Sequence, residues 1–226
     1  MYRDRQEAGA VLADLLVREH PARVDMRTPP VVVGLPRGGV PVAAVVARIL
    51  GAPLEVFVAK KIGIPGHDEL GVGAVAEGGV VVIDEELLRR CGLDAADLHA
   101  AIATKAHEVT ARAARFRGGR PAPDWRGRTV VVVDDGVANG VTAAAALRGL
   151  RAAGASSLLL AVPVGSREGL ARCAAEADAV LCPLIPVDFR AVGEHYVDFT
   201  QVEDHEVDAL LAAPLAAPLT DPRGDA

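Results

Sequence analysis

The stretch VVVVDDGVANGVTAAAAL, residues 130–147, decides the fold of this chain. It opens with four consecutive valines, which predict a strand buried on both faces, as in a parallel sheet. Two adjacent carboxylates, Asp134 and Asp135, come next, then a turn with two glycines, and a helix opens near Thr142. Because turn amides and a helix N-terminus both attract negative charge, this order predicts an anion-binding site.

Outward from this stretch, buried strands alternate with helices. The predicted strands are residues 31–34, 54–59, 130–133, 158–164 and 179–184, and the predicted helices are residues 41–50, 142–153 and 167–175, with an N-terminal packing helix and a long helix over 94–116. We therefore expect an α/β fold with a mostly parallel, doubly wound sheet. Glycine recurs through residues 60–79 without a comparable buried run, which predicts a mobile loop ending in a short hairpin into residues 80–83.

Length and composition favour one domain that folds unaided. The 226 residues are 51% hydrophobic and 24% charged, and we assign the domain to residues 1–212, with an Ala/Pro-rich, disordered tail over 213–226. A net charge of -6 disfavours a protein that coats nucleic acid. Three cysteines without CxxC spacing argue against disulfides and structural zinc. With no signal peptide and no membrane-length apolar run, the sequence predicts a cytoplasmic protein.

The predicted anion site has no cation of its own. No lysine or arginine lies between Arg128 and Arg148, so a bound phosphate would be held by backbone amides and the hydroxyl of Thr142. Asp134 and Asp135 would repel that phosphate and must face another part of the ligand. Carboxylates accept hydrogen bonds from vicinal hydroxyls, so the pattern suits a sugar with both a diol and a phosphate, such as ribose 5-phosphate.

The acidic pair, small residues, glycine and threonine after an apolar strand resemble the phosphoribosyl pyrophosphate motif of type I phosphoribosyltransferases. Three further segments resemble a bacterial group of phosphoribosyltransferase-domain proteins whose acceptor is unsettled: GLPRGGVPVA (34–43), KKIGIPGHDELGVGAVAEGG (60–79) and DFRAVGEHYVDFTQVED (188–204). The resemblance implies the type I fold, with a small hood built from terminal segments. It also implies transfer of ribose 5-phosphate from phosphoribosyl pyrophosphate to a small-molecule acceptor, with release of pyrophosphate.

The same resemblance implies roles for the residues of the motif. Asp134 and Asp135 would hold the ribose hydroxyls. The loop that would wrap the 5-phosphate consists of Val137, Ala138, Asn139, Gly140, Val141 and Thr142. Asn139 departs from the threonine usual in relatives, which puts phosphate affinity in question. Ala138 stands where enzymes acting on 6-oxopurines have an aspartate, which weighs against hypoxanthine and guanine as acceptors.

The pyrophosphate leaving group needs cations, and the resemblance supplies candidates. PRGG (36–39) resembles the family's pyrophosphate loop, in which Arg37 and the exposed amides of Gly38 and Gly39 would meet the diphosphate. Lys60 and Lys61 follow the second predicted strand, so that all three segments would lie at carboxyl ends of parallel strands. Magnesium would arrive bound to the diphosphate, since the sequence shows no dedicated metal cage.

Residues 63–79 resemble the mobile loop that closes over the reacting carbon, and Glu69 within them is the candidate for handling the acceptor's proton. An exposed carboxylate is the plainer interpretation of Glu69. A metal site at residues 67–69 and a catalytic His195 are weaker hypotheses. Phe189, Tyr196 and Phe199 either stack on the acceptor or pack as a small cluster.

Several broader alternatives stay open. The acidic pair could cap the following helix, Arg37 could form a surface salt bridge, and the two lysines could mark a solvated strand end. The whole protein could instead be a regulatory module that binds phosphoribosyl pyrophosphate or a nucleotide, or a scaffold without catalysis. A homodimer is compatible with the sequence, and nucleic-acid or membrane partners are not expected.

Overall fold

The computed structural model describes residues 1–20, 29–64 and 67–213, with side chains at all of these except 67–70. The helices are α1 (Arg5–Glu19), α2 (Gly39–Leu50), α3 (Glu85–Arg90), α4 (His99–Phe116), α5 (Val141–Ala152), α6 (Arg167–Ala174) and α7 (Asp204–Ala212). The strands are β1 (Val31–Gly34), β2 (Leu54–Val56), β3 (Ala59–Ile64), β4 (His67–Ala76), β5 (Val81–Ile83), β6 (Thr129–Val133), β7 (Ser157–Ala161) and β8 (Ala179–Leu181). Of the predicted tail over residues 213–226, all but residue 213 lies outside the described residues.

A five-stranded parallel sheet forms the centre, in the order β2-β1-β6-β7-β8. This confirms the predicted α/β fold, and the sequence-predicted strands and helices fall on observed ones. β1 and β6 are neighbours in register, with Gly34 opposite Val133, so the segments that follow them emerge side by side. A ligand cleft at this edge is the usual arrangement in open α/β sheets.

Both faces of the sheet are covered because alternate residues of each strand point to opposite sides. Val130 and Val132 belong to the apolar cluster that includes α5 and α6. Val131 and Val133 belong to the cluster on the other face, with α1 and α2. The valine run is therefore apolar throughout because each of its faces packs against helices.

The predicted mobile loop over residues 60–79 is wrong: the described residues of this range form most of a three-stranded antiparallel sheet, β3-β4-β5. The predicted short hairpin into residues 80–83 is confirmed by the antiparallel pairing of β4 with β5. Alternating buried residues such as Ile62 and Val72 pack this sheet against α4. Glycines allow its strands to approach, since a Cβ on Gly73 would lie 2.6 Å from the carbonyl oxygen of Val82. Gly73 thus serves close packing between strands, whereas Gly78 and Gly79 have positive φ in the turn before β5.

The predicted strand over residues 54–59 is also corrected. β2 ends at Val56, and the chain leaves the parallel sheet so that Ala59 begins β3 in the second sheet. The break falls inside an unbroken apolar run because Phe57 and Val58 are buried in the clusters of two different layers. Hydrophobicity alone does not show such a change of sheet.

The two terminal segments meet above the carboxyl-end edge of the parallel sheet. Tyr2 pairs with Tyr196 in an isolated parallel bridge, and the Tyr2 hydroxyl donates to the carbonyl of Pro163 at 3.0 Å. Residues 185–203 then run past the end of β6, where Val192 contacts Gly136. Among the described residues, no helix has the length and apolar character needed to cross a bilayer.

Gly9 provides a test of the packing between α1 and α2. A Cβ at this position would lie 2.7 Å from the Cβ of Val45 and 2.8 Å from the carbonyl oxygen of Val42. We expect Gly9→Val to lower the free energy of unfolding in urea by about 2 kcal/mol, because α1 must move off α2. Ala10→Val, which introduces the same side chain at the exposed neighbouring position, should change it by less than about 0.5 kcal/mol. Equal effects of the two substitutions would contradict this packing.

Candidate active site

The loop after β6 and the start of α5, together with Lys61 of β3 and Val192 of the C-terminal segment, enclose a cleft at the carboxyl-end edge of the sheet. It has a volume of about 190 Å³. Its lining residues are Lys61, Asp134, Gly136, Val137, Ala138, Asn139, Gly140, Thr142, Ala143 and Val192. The structure therefore brings one of the predicted aspartates, one of the predicted lysines and most of the predicted phosphate loop into one cavity.

The two aspartates each keep one carboxylate oxygen for a ligand. Asp134 Oδ1 accepts a hydrogen bond from the backbone N–H of Asp135 at 2.9 Å. Asp135 Oδ2 accepts two from Arg5, at 2.9 Å from Nε and 2.8 Å from Nη2. The remaining oxygens, Asp134 Oδ2 and Asp135 Oδ1, accept no hydrogen bond from the described residues. The helix-cap alternative is not what the structure shows, because neither carboxylate caps α5.

Burial and mutual repulsion disfavour charge on this pair. Burial raises the pKa of Asp134, and the adjacent charge of Asp135 raises it further. Burial also raises the pKa of Asp135, while the guanidinium of Arg5 opposes that rise. Arg5 is therefore the group that favours the doubly ionised pair, in which both free oxygens accept hydrogen bonds.

Arg5 is a site residue that the sequence analysis missed. Besides Asp135, it donates from Nη1 to the carbonyl of Thr200 at 2.9 Å, and its guanidinium lies 4.1 Å from the centre of the Phe199 ring. One signal was available: Arg5 begins α1, where the helix dipole disfavours a cation. A cation in that place suggests a tertiary carboxylate partner.

The phosphate loop presents a subset of its amides. Val137 N–H donates to the carbonyl of Val164 at 2.9 Å, and Val141 N–H donates to Asn139 Oδ1 at 3.2 Å. These two groups are thus engaged within the protein. The backbone N–H groups that make no hydrogen bond within the described residues and line the cleft are those of Ala138, Asn139, Gly140 and Thr142.

The oxygen of the Asn139 side chain is used to shape the loop. Because Oδ1 accepts from the N–H two residues later, Asn139 forms an Asx turn at the start of α5. Gly140, which follows it, has φ of +75° in the left-handed region, where a side chain would be strained. The asparagine that departs from the usual threonine therefore stabilises the loop itself.

The structure separates the two candidate lysines. Lys61 lines the cleft, and Gly71 lies between it and the side chain of Asn139. Lys60 points to the other face of β3, where its Nζ lies 2.5 Å from Glu108 Oε2 on α4. Both lysines belong to the antiparallel sheet, so the expectation that they follow a parallel strand is wrong. Of the two candidate lysines, Lys61 is therefore the one that lies at the cleft.

The segment after β1 packs directly on the acidic pair. A Cβ on Gly38 would lie 1.9 Å from Asp135 Oδ2, and one on Gly39 would lie 2.8 Å from the Cα of Asp134. Gly39 N–H donates to the carbonyl of Leu35 at 3.0 Å, which corrects the expectation that this amide is free for a diphosphate. The two glycines therefore let the first loop approach the second.

Arg37 does not line the cleft and forms ion pairs instead, as the salt-bridge alternative expected. Its Nη1 is 3.5 Å from Asp204 Oδ1 and 3.7 Å from Glu203 Oε2, both at the start of α7. The guanidinium is about one-third exposed, so these are weak ion pairs that a more highly charged anion could replace. Arg37 is thus placed between the first loop and the C-terminal helix.

The ring cluster is a packing cluster at Tyr196. Its ring lies 5.6 Å from that of Tyr2 and 5.1 Å from that of Phe199, and its hydroxyl donates to the carbonyl of Asp135 at 2.7 Å. Phe189 stacks on His195 at 5.6 Å, and neither lines the cleft. The cluster holds the C-terminal segment against the acidic pair.

The structure does not test Glu69 as the residue that handles the acceptor's proton, nor the candidate metal site at residues 67–69. The side chain of Glu69 lies outside the described residues, as do those of His67 and Asp68. Across the described residues, no group of three or more His, Cys, Asp and Glu side chains could hold a metal ion.

Known proteins resemble this chain over most of its length. The sequence profile of the phosphoribosyl transferase domain matches residues 1–198. Two Mycobacterium tuberculosis proteins, from strains H37Rv and CDC 1551, are provisionally named phosphoribosyl transferases, and each is 46% identical over 211 residues. That match covers 93% of this chain and 46% of each relative, so the chain spans about half the length of these curated relatives. The crystal structure of TT1426 from Thermus thermophilus is 43% identical, with 93% of this chain and 97% of that chain covered and a TM-score of 0.76.

Replacement of Arg5 tests the electrostatics of the acidic pair. Both partners are more than four-fifths buried, and we expect Arg5→Met to lower the free energy of unfolding at about pH 8 by roughly 3 kcal/mol, since it leaves two uncompensated carboxylates. Loss of Arg5 raises the folded-state pKa of the pair further above the unfolded value, so the folded variant takes up a proton as pH falls. The loss should therefore be smaller at about pH 5, as measured by urea unfolding at both pH values.

Arg3→Met is the matched control for this measurement. Arg3 is 79% exposed and pairs with Glu7 one helical turn away, so its replacement should cost less than about 0.5 kcal/mol at either pH. A loss in Arg5→Met that does not change with pH would contradict the assigned role of Arg5.

Proposed function

The chain belongs to the phosphoribosyl transferase domain family, and on that premise we propose that it transfers ribose 5-phosphate from phosphoribosyl pyrophosphate to a small-molecule acceptor. One observation carries the proposal. Four unbonded backbone amides and Asp134, whose Oδ2 accepts no hydrogen bond from the described residues, line one cleft, and Asp135 with its own free oxygen is the next residue of the same loop. Amides suit a phosphate, and carboxylate oxygens suit a diol, so a phosphorylated sugar satisfies both parts at once.

The 5-phosphate would bind at the N-terminus of α5. The amides of Ala138, Asn139 and Gly140, with the amide and hydroxyl of Thr142, would donate to its oxygens. Lys61 would add a full positive charge from the neighbouring sheet. This cation matters because the acidic pair would otherwise weaken phosphate binding.

The ribose would bind against the acidic pair. Asp134 Oδ2 and Asp135 Oδ1 would accept hydrogen bonds from the 2-hydroxyl and 3-hydroxyl groups. The pair carries negative charge next to the sugar ring, which becomes positively charged as pyrophosphate departs. That charge would stabilise the transition state more than the ground state, which is the condition for catalysis.

The reaction exchanges one bond at the anomeric carbon for another. The bond from that carbon to the pyrophosphate oxygen breaks with its electron pair on the oxygen, the acceptor forms the new bond, and the acceptor's proton is released. Arg37, in the loop after β1, would meet the leaving diphosphate after exchanging its ion pairs with the start of α7. Magnesium would enter with the diphosphate as part of the substrate.

Two neutral substitutions in the acidic pair test its role. Asp134→Asn and Asp135→Asn together keep the size of the side chains but remove both charges. We expect pyrophosphate release from magnesium phosphoribosyl pyrophosphate, measured across a panel of nitrogenous acceptors, to fall by about 10² or more in kcat/KM. Asp124→Asn, at an exposed carboxylate paired with Arg126, is the control and should leave the rate unchanged.

The outcomes of that assay separate transfer from mere binding. Equal turnover in the double variant would refute the roles of the two aspartates. Calorimetric binding of the donor by the wild-type protein without turnover on any acceptor would favour a regulatory module. No binding at all would remove the donor itself from the proposal.

Lys60 and Lys61 provide a second test of the phosphate site, in which the variant of Lys60 is the control for the variant of Lys61. Lys61→Met should raise the Kd for phosphoribosyl pyrophosphate by about tenfold, because a lost charged contact to phosphate is worth about 1.5 kcal/mol. Lys60→Met removes the same charge from the preceding residue, which faces Glu108, and should change the Kd less than about twofold. Isothermal titration calorimetry at fixed ionic strength measures both, and equal losses would refute the distinction.

A further inference from the structure

The back of the phosphate loop is held by α6. Two consecutive carbonyls of the loop accept hydrogen bonds from the side chains of a residue on α6 and of the N-cap residue of α6. Ser166 Oγ donates to the carbonyl of Ala138 at 2.5 Å, and Arg172 Nη1 donates to the carbonyl of Asn139 at 2.8 Å. Both carbonyls are thereby directed toward α6.

The geometry of the peptide group fixes the direction of the N–H groups that follow these two carbonyls. In a planar trans peptide, the C=O and the N–H of the next residue point in opposite directions. The Ala138 carbonyl shares its peptide with the Asn139 N–H, and the Asn139 carbonyl shares its peptide with the Gly140 N–H. Because the carbonyls point toward α6, these two N–H groups point away from it, on the side where the same residues line the cleft.

The contact between loop and helix is tight. A Cβ on Gly169 would lie 2.1 Å from the carbonyl oxygen of Ala138, and a Cβ on Gly140 would lie 2.4 Å from the carbonyl oxygen of Gly169. Two glycines therefore permit the loop to rest on the first turn of α6. This closeness is what brings the Ser166 hydroxyl and the Arg172 guanidinium within reach of the loop carbonyls.

Arg172 is itself held from a second direction. Its Nη2 is hydrogen-bonded to Asp84 Oδ2, and Asp84 caps α3 by accepting from the N–H of Leu87 at 3.0 Å. Asp84 directly follows β5, in the antiparallel sheet that carries Lys61. The Arg172 side chain is 23% exposed and therefore bridges the loop and the second sheet from a largely buried position.

We propose that Ser166 and Arg172 are positioning residues that hold the phosphate loop with the N–H groups of Asn139 and Gly140 turned into the cleft before a phosphate monoester arrives. The inference rests on the proposed function for the identity of the ligand as a ribose phosphate. Because the two N–H donors are already in place, phosphate binding does not lose free energy by ordering the loop. Neither side chain is assigned a contact with substrate.

Binding of ribose 5-phosphate measures the effect. We expect Arg172→Gln and Ser166→Ala each to raise its Kd, by isothermal titration calorimetry, by about tenfold. Ser166→Thr keeps both the donor hydroxyl and the cap of α6 and should bind as the wild type does. Arg148→Gln is the matched control, because Arg148 also joins α5 to the α6 region, through Glu176, at a greater distance from the loop. Its Kd should not change.

Amide NMR distinguishes positioning from a general loss of structure. In the wild-type protein, titration with inorganic phosphate should shift the N–H signals of Asn139 and Gly140. In Arg172→Gln, these shifts should be lost at the same phosphate concentration while the signals of the parallel strands stay in place. Unchanged Kd values and shifts in both variants would overturn the proposal.

The failure of the proposed function gives a different result. If the wild-type protein bound neither ribose 5-phosphate nor the magnesium complex of phosphoribosyl pyrophosphate, the proposed substrate would be wrong. Shifts of the two loop amides with inorganic phosphate, and their loss in Arg172→Gln, would still support the positioning role. Absence of those shifts in the wild-type protein would overturn that role too.

Discussion

Two neighbouring carboxylates in a largely buried place are the constraint on which the site depends. Asp134 and Asp135 repel one another, and burial raises the pKa of both. The bidentate contact from Arg5 opposes that rise. Since Arg5 comes from the first turn of α1 and is also bound by residue Thr200, the charge state of the pair depends on both ends of the domain.

The other parts of the site depend on close packing of backbone against the acidic pair and against the phosphate loop, and this packing requires residues without a side chain. Gly38 lets the loop after β1 pack on Asp135, and Gly169 lets α6 pack on the phosphate loop. Each contact holds a part of the segment that runs from Asp134 to Gly140. The hydroxyl of Tyr196 adds a third, by binding the carbonyl of Asp135 from the C-terminal segment.

Sequence reasoning worked where local pattern decides structure and failed where tertiary contacts do. The valine strands and the loop before α5 were predictable, because a buried strand followed by glycines and a helix has few other solutions. The second sheet was not, because glycines that permit strand contact, such as Gly73, resemble those of a loop. Lys60 and Lys61 were equivalent in sequence, and only the side-to-side alternation of β3 separated them.

By itself, the sequence determined the α/β architecture, the turn that precedes α5 and the acidic pair next to it, because these follow from hydrophobic periodicity and from turn chemistry within some twenty residues. Tertiary structure decided which charges meet. Arg5 reaches Asp135 across 130 positions of the chain, and Lys61 enters the cleft from a separate sheet. Coulomb interactions depend on distance in space, and the linear order of residues does not contain that distance until the chain has folded.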